Sequence, residues 1–583
     1  MNCNHYIPLI GLFIACSAGP LYAAPPAAND EGVTVTPVQA VLNTQAETAA
    51  QRDARMKWWR EAKFGMFIHW GIYSVLAGSY QDKTSYGEWV MQQARIPVDE
   101  YRRFGQKFNP VKYDPAEWVR IAQGAGMRYM VITSKHHDGF ALFPSTVSNW
   151  NVAEATPYKK DLLGPLVGAA HDAGLKIGFY YSQSQDWNNR GGAKKGYADG
   201  EGWDPAHRGS YDNYINDIAV PQVRELLTRY PIDILWWDTP MFMTPERVEP
   251  FLALKKLRPG LISNNRLGGG PSDMATPEQY VPITGRKGDW ETCMTMNGHW
   301  GYNAYDTNWK STTDLIHTLA ETCSRGGNLL LNVGPTAEGK IPTESVERLH
   351  EIGRWIQING DSIYGTTAGP FTYLAWGCAT RKGDTLYLHV FNWPANGRLV
   401  VPLNNKVKSA YLLAAPKQKL KVTSTHGKLV VELPVTPPDA FDSVVAMQIQ
   451  DEPIVEPLPS ASATVKASST LNGTDASYVN DGTEDKLWRA PAEIKVAFLD
   501  IELKQATAIG GFGIAEPDVW PRMNQVYTLE YLDATGWHKV AEGRTIGHGV
   551  KRPIPVITAK KFRLTMECNA GSPGVAEFQL YGI

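Results

Sequence analysis

The sequence has almost no net charge, few cysteines and no long apolar run. Its 57 Lys and Arg against 59 Asp and Glu leave a formal charge of −2 over 583 residues. No broad field therefore draws the chain to nucleic acid or to an anionic membrane surface. Six cysteines show no Cys-x-x-Cys pair and no metal-ligand spacing, which argues against a structural zinc site. Cys293, Cys323, Cys378 and Cys568 read as free buried thiols, with a Cys293–Cys323 pair as the alternative in an oxidising compartment. No stretch is apolar for the length a membrane span requires.

The first residues also lack Lys and Arg, yet they carry an apolar run, 7–15, followed by small residues and Leu21-Tyr22-Ala23-Ala24. Residues 1–24 thus read as an export signal cut after Ala23 or Ala24, and the expected product is periplasmic or secreted. Ile14-Ala15-Cys16 offers a second reading, a lipoprotein site that would anchor the protein through Cys16. Residues 25–50, rich in Ala, Pro, Thr and Gln, read as a lead-in with little structure expected.

Aromatic residues are plentiful: 19 Trp and 26 Tyr. They suit stacking on sugar rings and the filling of a large core equally well. From 51 to 362, short apolar runs (64–69, 129–133, 177–181, 232–237 and 328–333) alternate with amphipathic stretches such as 115–122 and 222–227. Continuous apolar strands separated by helices predict a parallel sheet covered on both faces. With no Gly-rich phosphate loop after the first strand, a (β/α)8-like barrel fits better than a doubly wound sheet. Residues 363–450 alternate as an antiparallel β-sandwich, 451–459 is a Pro-rich acidic linker, and 460–583 reads as a second, C-terminal β-sandwich.

Each barrel run ends in polar or aromatic residues: His69-Trp70, Lys135-His136-His137-Asp138, Tyr180-Tyr181, Trp236-Trp237-Asp238 and Asn264-Asn265-Arg266. Strand ends of such a barrel converge on one mouth, where active sites form. Singly, each signal is weak. Asp238 is equally suited to cap a following helix. His136 and His137 would point opposite ways on an extended strand, so a metal pair is not expected. Glu88-Trp89 is either a carboxylate beside an aromatic or the start of a helix.

Together the motifs are specific. The stretch 58–71 (WWREAKFGMFIHWG), Phe108-Asn109-Pro110, the stretch 134–140 (SKHHDGF), Trp236-Trp237-Asp238, His299-Trp300-Gly301-Tyr302 and 326–335 (GGNLLLNVGP) resemble, in order, α-L-fucosidases of glycoside hydrolase family 29. The resemblance implies a retaining exo-hydrolase that releases terminal α-L-fucose from oligosaccharides or glycoconjugates, on a barrel followed by a β-sandwich. It assigns Asp238 as nucleophile and places His69, Glu88, Trp89, His136, His137, Tyr180, Trp236 and Arg266 around the fucose. Its acid/base lies on a variable loop: Glu278 resembles that position, and Glu291 is the rival, in a strand-like setting that suits a structural role. Two carboxylates need no cofactor. A glycan-binding protein on an inactive barrel and an α-L-galactosidase are the competing readings; the first sits poorly with a full carboxylate set.

Residues 460–583 resemble discoidin-like, galactose-binding-like carbohydrate modules at Ala467-Ser468-Ser469, Asn480-Asp481-Gly482-Thr483, Trp488-Arg489-Ala490 and 576–582 (AEFQLYG). That resemblance admits a structural calcium near Asn480-Asp481-Gly482. Trp520 and His548 are candidate sugar contacts there, and a purely structural role for the module is equally open.

Overall fold

Seven strands build the sheet that positions the strand-end residues: β1 (Phe64–Ile68), β2 (Tyr129–Lys135), β3 (Lys176–Ser182), β4 (Ile234–Asp238), β5 (Ile262–Ser263), β6 (Glu291–Thr295) and β7 (Asn328–Val333). In the computed structural model, which describes residues 47–193, 202–425, 427–517, 523, 525–569 and 571–583, all seven pair parallel in the order β5-β4-β3-β2-β1-β7-β6. The expected export signal, nearly all of the lead-in, and Trp520 lie outside the described residues. Nearly every strand residue is buried, as helices on the outer face and side chains on the inner face demand.

The eighth stave is irregular. Met274, Ala275 and Glu278 make single parallel bridges to Asn264, Trp290 and Cys293, so the segment 274–278 runs between β5 and β6 without becoming a regular strand. Gly65 shows how tightly the interior is filled. A Cβ there would fall 2.5 Å from the ring of Tyr129 on the neighbouring strand, so only glycine lets β1 and β2 meet. Outside, the helix Pro115–Gly124 starts where Asp114 accepts from the amides of Ala116 and Glu117 and proline takes the first turn. The helix Ala49–Ala62 is tied to the barrel by Arg55–Asp273 at 2.8 Å and Arg60–Asp289 at 2.6 Å.

Strands from Thr367–Ala368 to Ser443–Ile449 form a six-stranded and a three-stranded sheet around their own apolar core. Beyond the linker a further β-domain is built on two long paired strands, Val496–Ala515 and Val550–Cys568, with a separate core. A barrel followed by two antiparallel β-regions is the architecture expected. Residues 50–583 form one compact unit. Among the described residues no helix is long and apolar enough to cross a membrane.

Cys293, Cys323, Cys378 and Cys568 are all free, so the alternative Cys293–Cys323 pairing is not realised, and Cys378 is only partly buried. Near the proposed calcium position, Asn480 donates to the carbonyls of Ser460 and Ala463, and Asp481 accepts from Thr483. Among the described residues no group of three or more His, Cys, Asp or Glu is placed to hold a metal ion.

Candidate active site

At the C-terminal mouth of the barrel lies a cavity of 560 Å³, a volume suited to one or two sugar rings. Asp238, the last residue of β4, has its carboxylate fixed from three sides. Tyr180 donates its hydroxyl to Oδ2 at 2.7 Å, Arg266 Nη1 reaches Oδ1 at 3.0 Å, and the Thr239 amide donates to Oδ1 at 2.8 Å. Asp238 is not a helix cap, because the next helix begins at Pro245 behind Thr244.

Arg266 Nη1 also lies 2.8 Å from Glu278 Oε2. One nitrogen therefore touches both carboxylates, and the two oxygens are within about 6 Å of each other. Glu278 is more exposed than Asp238, at 40% against 15% of the side chain. Each of these carboxylates is followed by a residue with left-handed backbone, Thr239 at φ 56° and Gln279 at φ 64°. A β-branched residue pays for such a conformation with roughly 1–3 kcal/mol, and here the turn directs the Thr239 amide onto the Asp238 carboxylate.

The wall opposite is imidazole and aromatic. His69 Nδ1 meets Asn332 Oδ1 at 2.7 Å, while the Asn332 amide donates to the carbonyl of Trp300 at 2.7 Å. That chain assigns the His69 proton to Nδ1 and leaves Nε2 as an acceptor. His137 Nδ1 contacts Ser182 Oγ at 2.7 Å, and the Ser182 hydroxyl donates to Gln185 O, so Nδ1 carries the proton here too. His137 Nε2 lies 3.6 Å from Asp238 Oδ2. His136 Nδ1 is buried with no hydrogen-bond partner among the described residues, an arrangement that calls for a ligand hydroxyl.

Burial pushes His69 down to about 4 and holds His136 and His137 well below 6.5; neighbouring cationic groups add to the effect. Burial thus favours the neutral rings, each of which offers a hydroxyl one donor and one acceptor nitrogen. Burial raises the Glu88 carboxyl, against the amide of Gly301 that donates to it at 2.9 Å.

All of the sugar-site residues expected from sequence, His69, Glu88, Trp89, His136, His137, Tyr180, Trp236 and Arg266, line this cavity with Asp238 and Glu278. The alternation argument against a shared site for His136 and His137 does not hold. β2 ends at Lys135, and beyond a strand the two-residue period lapses, so the two rings sit 4.1 Å apart. Glu88-Trp89 answers both readings, since Trp89 is also the cap position of the short helix Val90–Gln93. Lys135 and Asp138 stay outside. Lys135 pairs with Asp186 at 3.0 Å, and Asp138 accepts from Tyr101 at 2.9 Å.

Glu291 lies below the cavity and does not line it. It is fully buried on β6, accepting from Tyr129 and from Trp236 Nε1 at 3.2 Å. Burial lifts its carboxyl to about 7. In the unfolded chain it titrates near 4.5, so the folded form holds the proton more tightly. This contribution is complete below pH 4.5 and is lost as pH rises through 7. Glu291→Gln keeps the neutral form, and the Tyr129 hydroxyl can turn to accept from the amide. The variant's stability relative to wild type is expected to rise by about 2.5 kcal/mol between pH 5 and pH 8, read from paired denaturation curves.

Phe67, Thr239, Pro240, Asn265, Thr276, Gln279, Cys293, Trp300 and His548 complete the lining, beyond the fucose-site residues that the sequence marks. Trp300 had a signal, since it belongs to a recognised motif. His548 comes from the far C-terminal domain.

Paired carboxylates amid neutral, hydroxyl-matching groups at the mouth of a parallel barrel are what cleavage of a glycosidic bond requires, which places the molecule among the glycoside hydrolases. The family model for α-L-fucosidase matches residues 34–361, more than half of the chain. An α-L-fucosidase of Branchiostoma floridae is 32% identical over 413 residues, covering 65% of this chain and 88% of that protein. The chain belongs to the α-L-fucosidase family. Among solved structures, α-L-fucosidase isoenzyme 1 from Paenibacillus thiaminolyticus is 37% identical with a TM-score of 0.62, covering 69% of this chain and all of that one. An α-L-fucosidase from Vibrio sp. strain EJY3 is 25% identical with a TM-score of 0.68 and reaches 91% of this chain and 98% of that one.

Proposed function

We propose that this α-L-fucosidase works with retention, through a covalent fucosyl-enzyme on Asp238, with Glu278 as acid and then base. The observation that carries this reading is the single nitrogen of Arg266 touching both carboxylates. Retaining enzymes hold their carboxyls roughly 5–5.5 Å apart, whereas inverting ones leave roughly 6.5–9.5 Å to admit a water. A related enzyme from Bacteroides thetaiotaomicron supports it: its structure holds a trapped covalent intermediate formed from 2-fluoro-fucosyl fluoride.

Asp238 Oδ2 attacks the anomeric carbon as Glu278 gives its proton to the departing glycosidic oxygen; Glu278 then takes a proton from water, whose oxygen displaces Asp238. His69 Nε2 accepts from a ring hydroxyl, His136 Nδ1 pairs with another, Glu88 accepts a hydrogen bond from a hydroxyl, and Trp236 and Trp300 offer apolar faces to the methyl side of the sugar. The substrate is a fucosylated oligosaccharide or glycoconjugate, met outside the cytoplasm if the leader acts as an export signal.

The test of the acid/base is Glu278→Ala. On an aryl α-L-fucoside with a poor leaving group kcat/KM is expected to drop by roughly 10²–10⁴-fold. On a fucoside with an activated leaving group, where breakdown of the fucosyl-enzyme limits the variant, azide should restore turnover and yield the fucosyl azide of retained configuration. If Glu278→Ala stays near wild type while Glu291→Ala loses the reaction and is rescued, the roles are reversed.

A further inference from the structure

The family model ends at residue 361, yet the cavity wall does not. His548 sits in the turn between the strands Gly536–Gly543 and Val550–Cys568 of the C-terminal domain and lines the same cavity as Asp238 and Glu278. Its ring lies flat on Tyr280, with centroids 3.7 Å apart and planes 18° from parallel. Tyr280 is two residues beyond Glu278, on the same loop.

The contact does not depend on one ring. Ile283 of that loop is buried with Ala515 and Ala576, and the Thr284 amide and hydroxyl donate to Glu484 at 3.0 and 3.2 Å. Tyr373 stacks on Tyr581 at 4.0 Å. The Ile283 and Thr284 contacts join the C-terminal domain to the loop that holds Glu278, and the Tyr373–Tyr581 stack ties it to the middle β-region.

The side of the cavity follows from the chemistry. A proton donor acts on the leaving oxygen, so the loop 278–280 faces the sugar that departs, while Asp238 faces the anomeric carbon. Stacked aromatic rings on that side offer what the apolar face of a pyranose packs against. We propose that His548, its ring held in place by Tyr280 behind it, forms the leaving-group subsite, so that a residue of the C-terminal β-domain determines which fucosides this enzyme accepts. The domain is then a wall of the active site rather than a separate sugar tether. The side assignment rests on Glu278 as the proton donor.

Binding tests this without turnover. In an Asp238→Asn background, L-fucose and the α1,2-, α1,3-, α1,4- and α1,6-linked fucosyl disaccharides are titrated by calorimetry. At least one disaccharide is expected to bind at least tenfold more tightly than fucose. His548→Ala should then reduce the ratio of disaccharide to fucose affinity at least fivefold, and His548→Phe, which keeps a ring on Tyr280, should restore most of it. The proposal is overturned by an unchanged ratio, by parallel weakening of fucose and disaccharide, or by no disaccharide binding more tightly than fucose. Should Asp238→Asn still cleave the disaccharides, the nucleophile assignment fails instead. The subsite is then judged by kcat/KM in the otherwise wild-type enzyme, disaccharide against α-L-fucosyl fluoride, which has no leaving sugar. His548→Ala lowers that ratio at least fivefold if the subsite is real, and leaves it unchanged if it is not.

Discussion

Asp238→Asn is expected to lower kcat on an aryl α-L-fucoside by at least about 10³-fold while leaving the fold intact. The substitution removes one negative charge and the nucleophilic oxygen together. It forfeits the covalent step and the electrostatic stabilisation of an oxocarbenium-like transition state at once. The shape is preserved: an amide oxygen can still accept from Tyr180 or from the Thr239 amide, which lie 2.7 and 2.8 Å from the carboxylate oxygens. Near-UV circular dichroism should therefore match wild type. Turnover within tenfold of wild type would remove Asp238 from the reaction.

The largest expected loss of stability lies beside the pocket. Lys135 and Asp186 are both fully buried and 3.0 Å apart. Lys135 also donates to the Tyr214 hydroxyl at 2.9 Å, and Asp186 accepts from the amides of Asn188 and Asn189 at 3.0 and 2.8 Å. Burial lowers the Lys135 ammonium, and Asp186 opposes that. Lys135→Met leaves the carboxylate in the interior without its cation, which costs about 3–5 kcal/mol, whereas replacing both partners by apolar groups is often close to neutral. Lys135→Met is thus expected to unfold at markedly lower denaturant, and Lys135→Met with Asp186→Leu to recover much of the loss. Activity should fall with the single variant as well. Asp186 orders the turn that carries Trp187, whose ring lies 5.0 Å from Trp89 and 5.4 Å from His137. A single variant as stable as wild type would show that the pair is not a structural keystone.

The barrel was legible because its strands are apolar on both faces and end in groups that chemistry uses. Phe64–Ile68, Tyr129–Lys135 and Ile234–Asp238 are the runs the pattern marks, and His69, His136 and Asp238 follow or end them. The eighth stave was not legible. The segment 274–278 makes isolated bridges only, and a stretch holding proline and polar residues has no strand period to detect. That segment carries Glu278, which explains why the acid/base was the least determined of the site residues. Glu291 shows the converse. A glutamate in a strand is ambiguous in sequence, and only its burial with Tyr129 and Trp236 separates it from the cavity.

Tertiary placement accounts for the rest. Trp300, Asn265 and Gln279 reach the site from loops whose course no local pattern fixes. His548 is 270 residues from Glu278 along the chain and is brought there by the docking of a whole domain. His136 and His137 lie past the end of their strand, where the two-residue period lapses, so their rings meet although alternation would part them. In each case what failed to show in sequence was a long-range contact or an irregular backbone, the two features that local periodicity does not encode.

Trapping the intermediate shows whether Asp238 is the nucleophile. The wild-type enzyme is treated with 2-deoxy-2-fluoro-α-L-fucosyl fluoride, whose 2-fluorine slows both steps while the fluoride leaving group keeps attack fast enough for the intermediate to accumulate, then digested and examined by peptide mass spectrometry. One added 2-fluorofucosyl group is expected, on the peptide that contains Asp238 and attached at that residue. A label on another carboxylate, or steady turnover without any covalent species under conditions that inactivate an authentic retaining fucosidase, would contradict it.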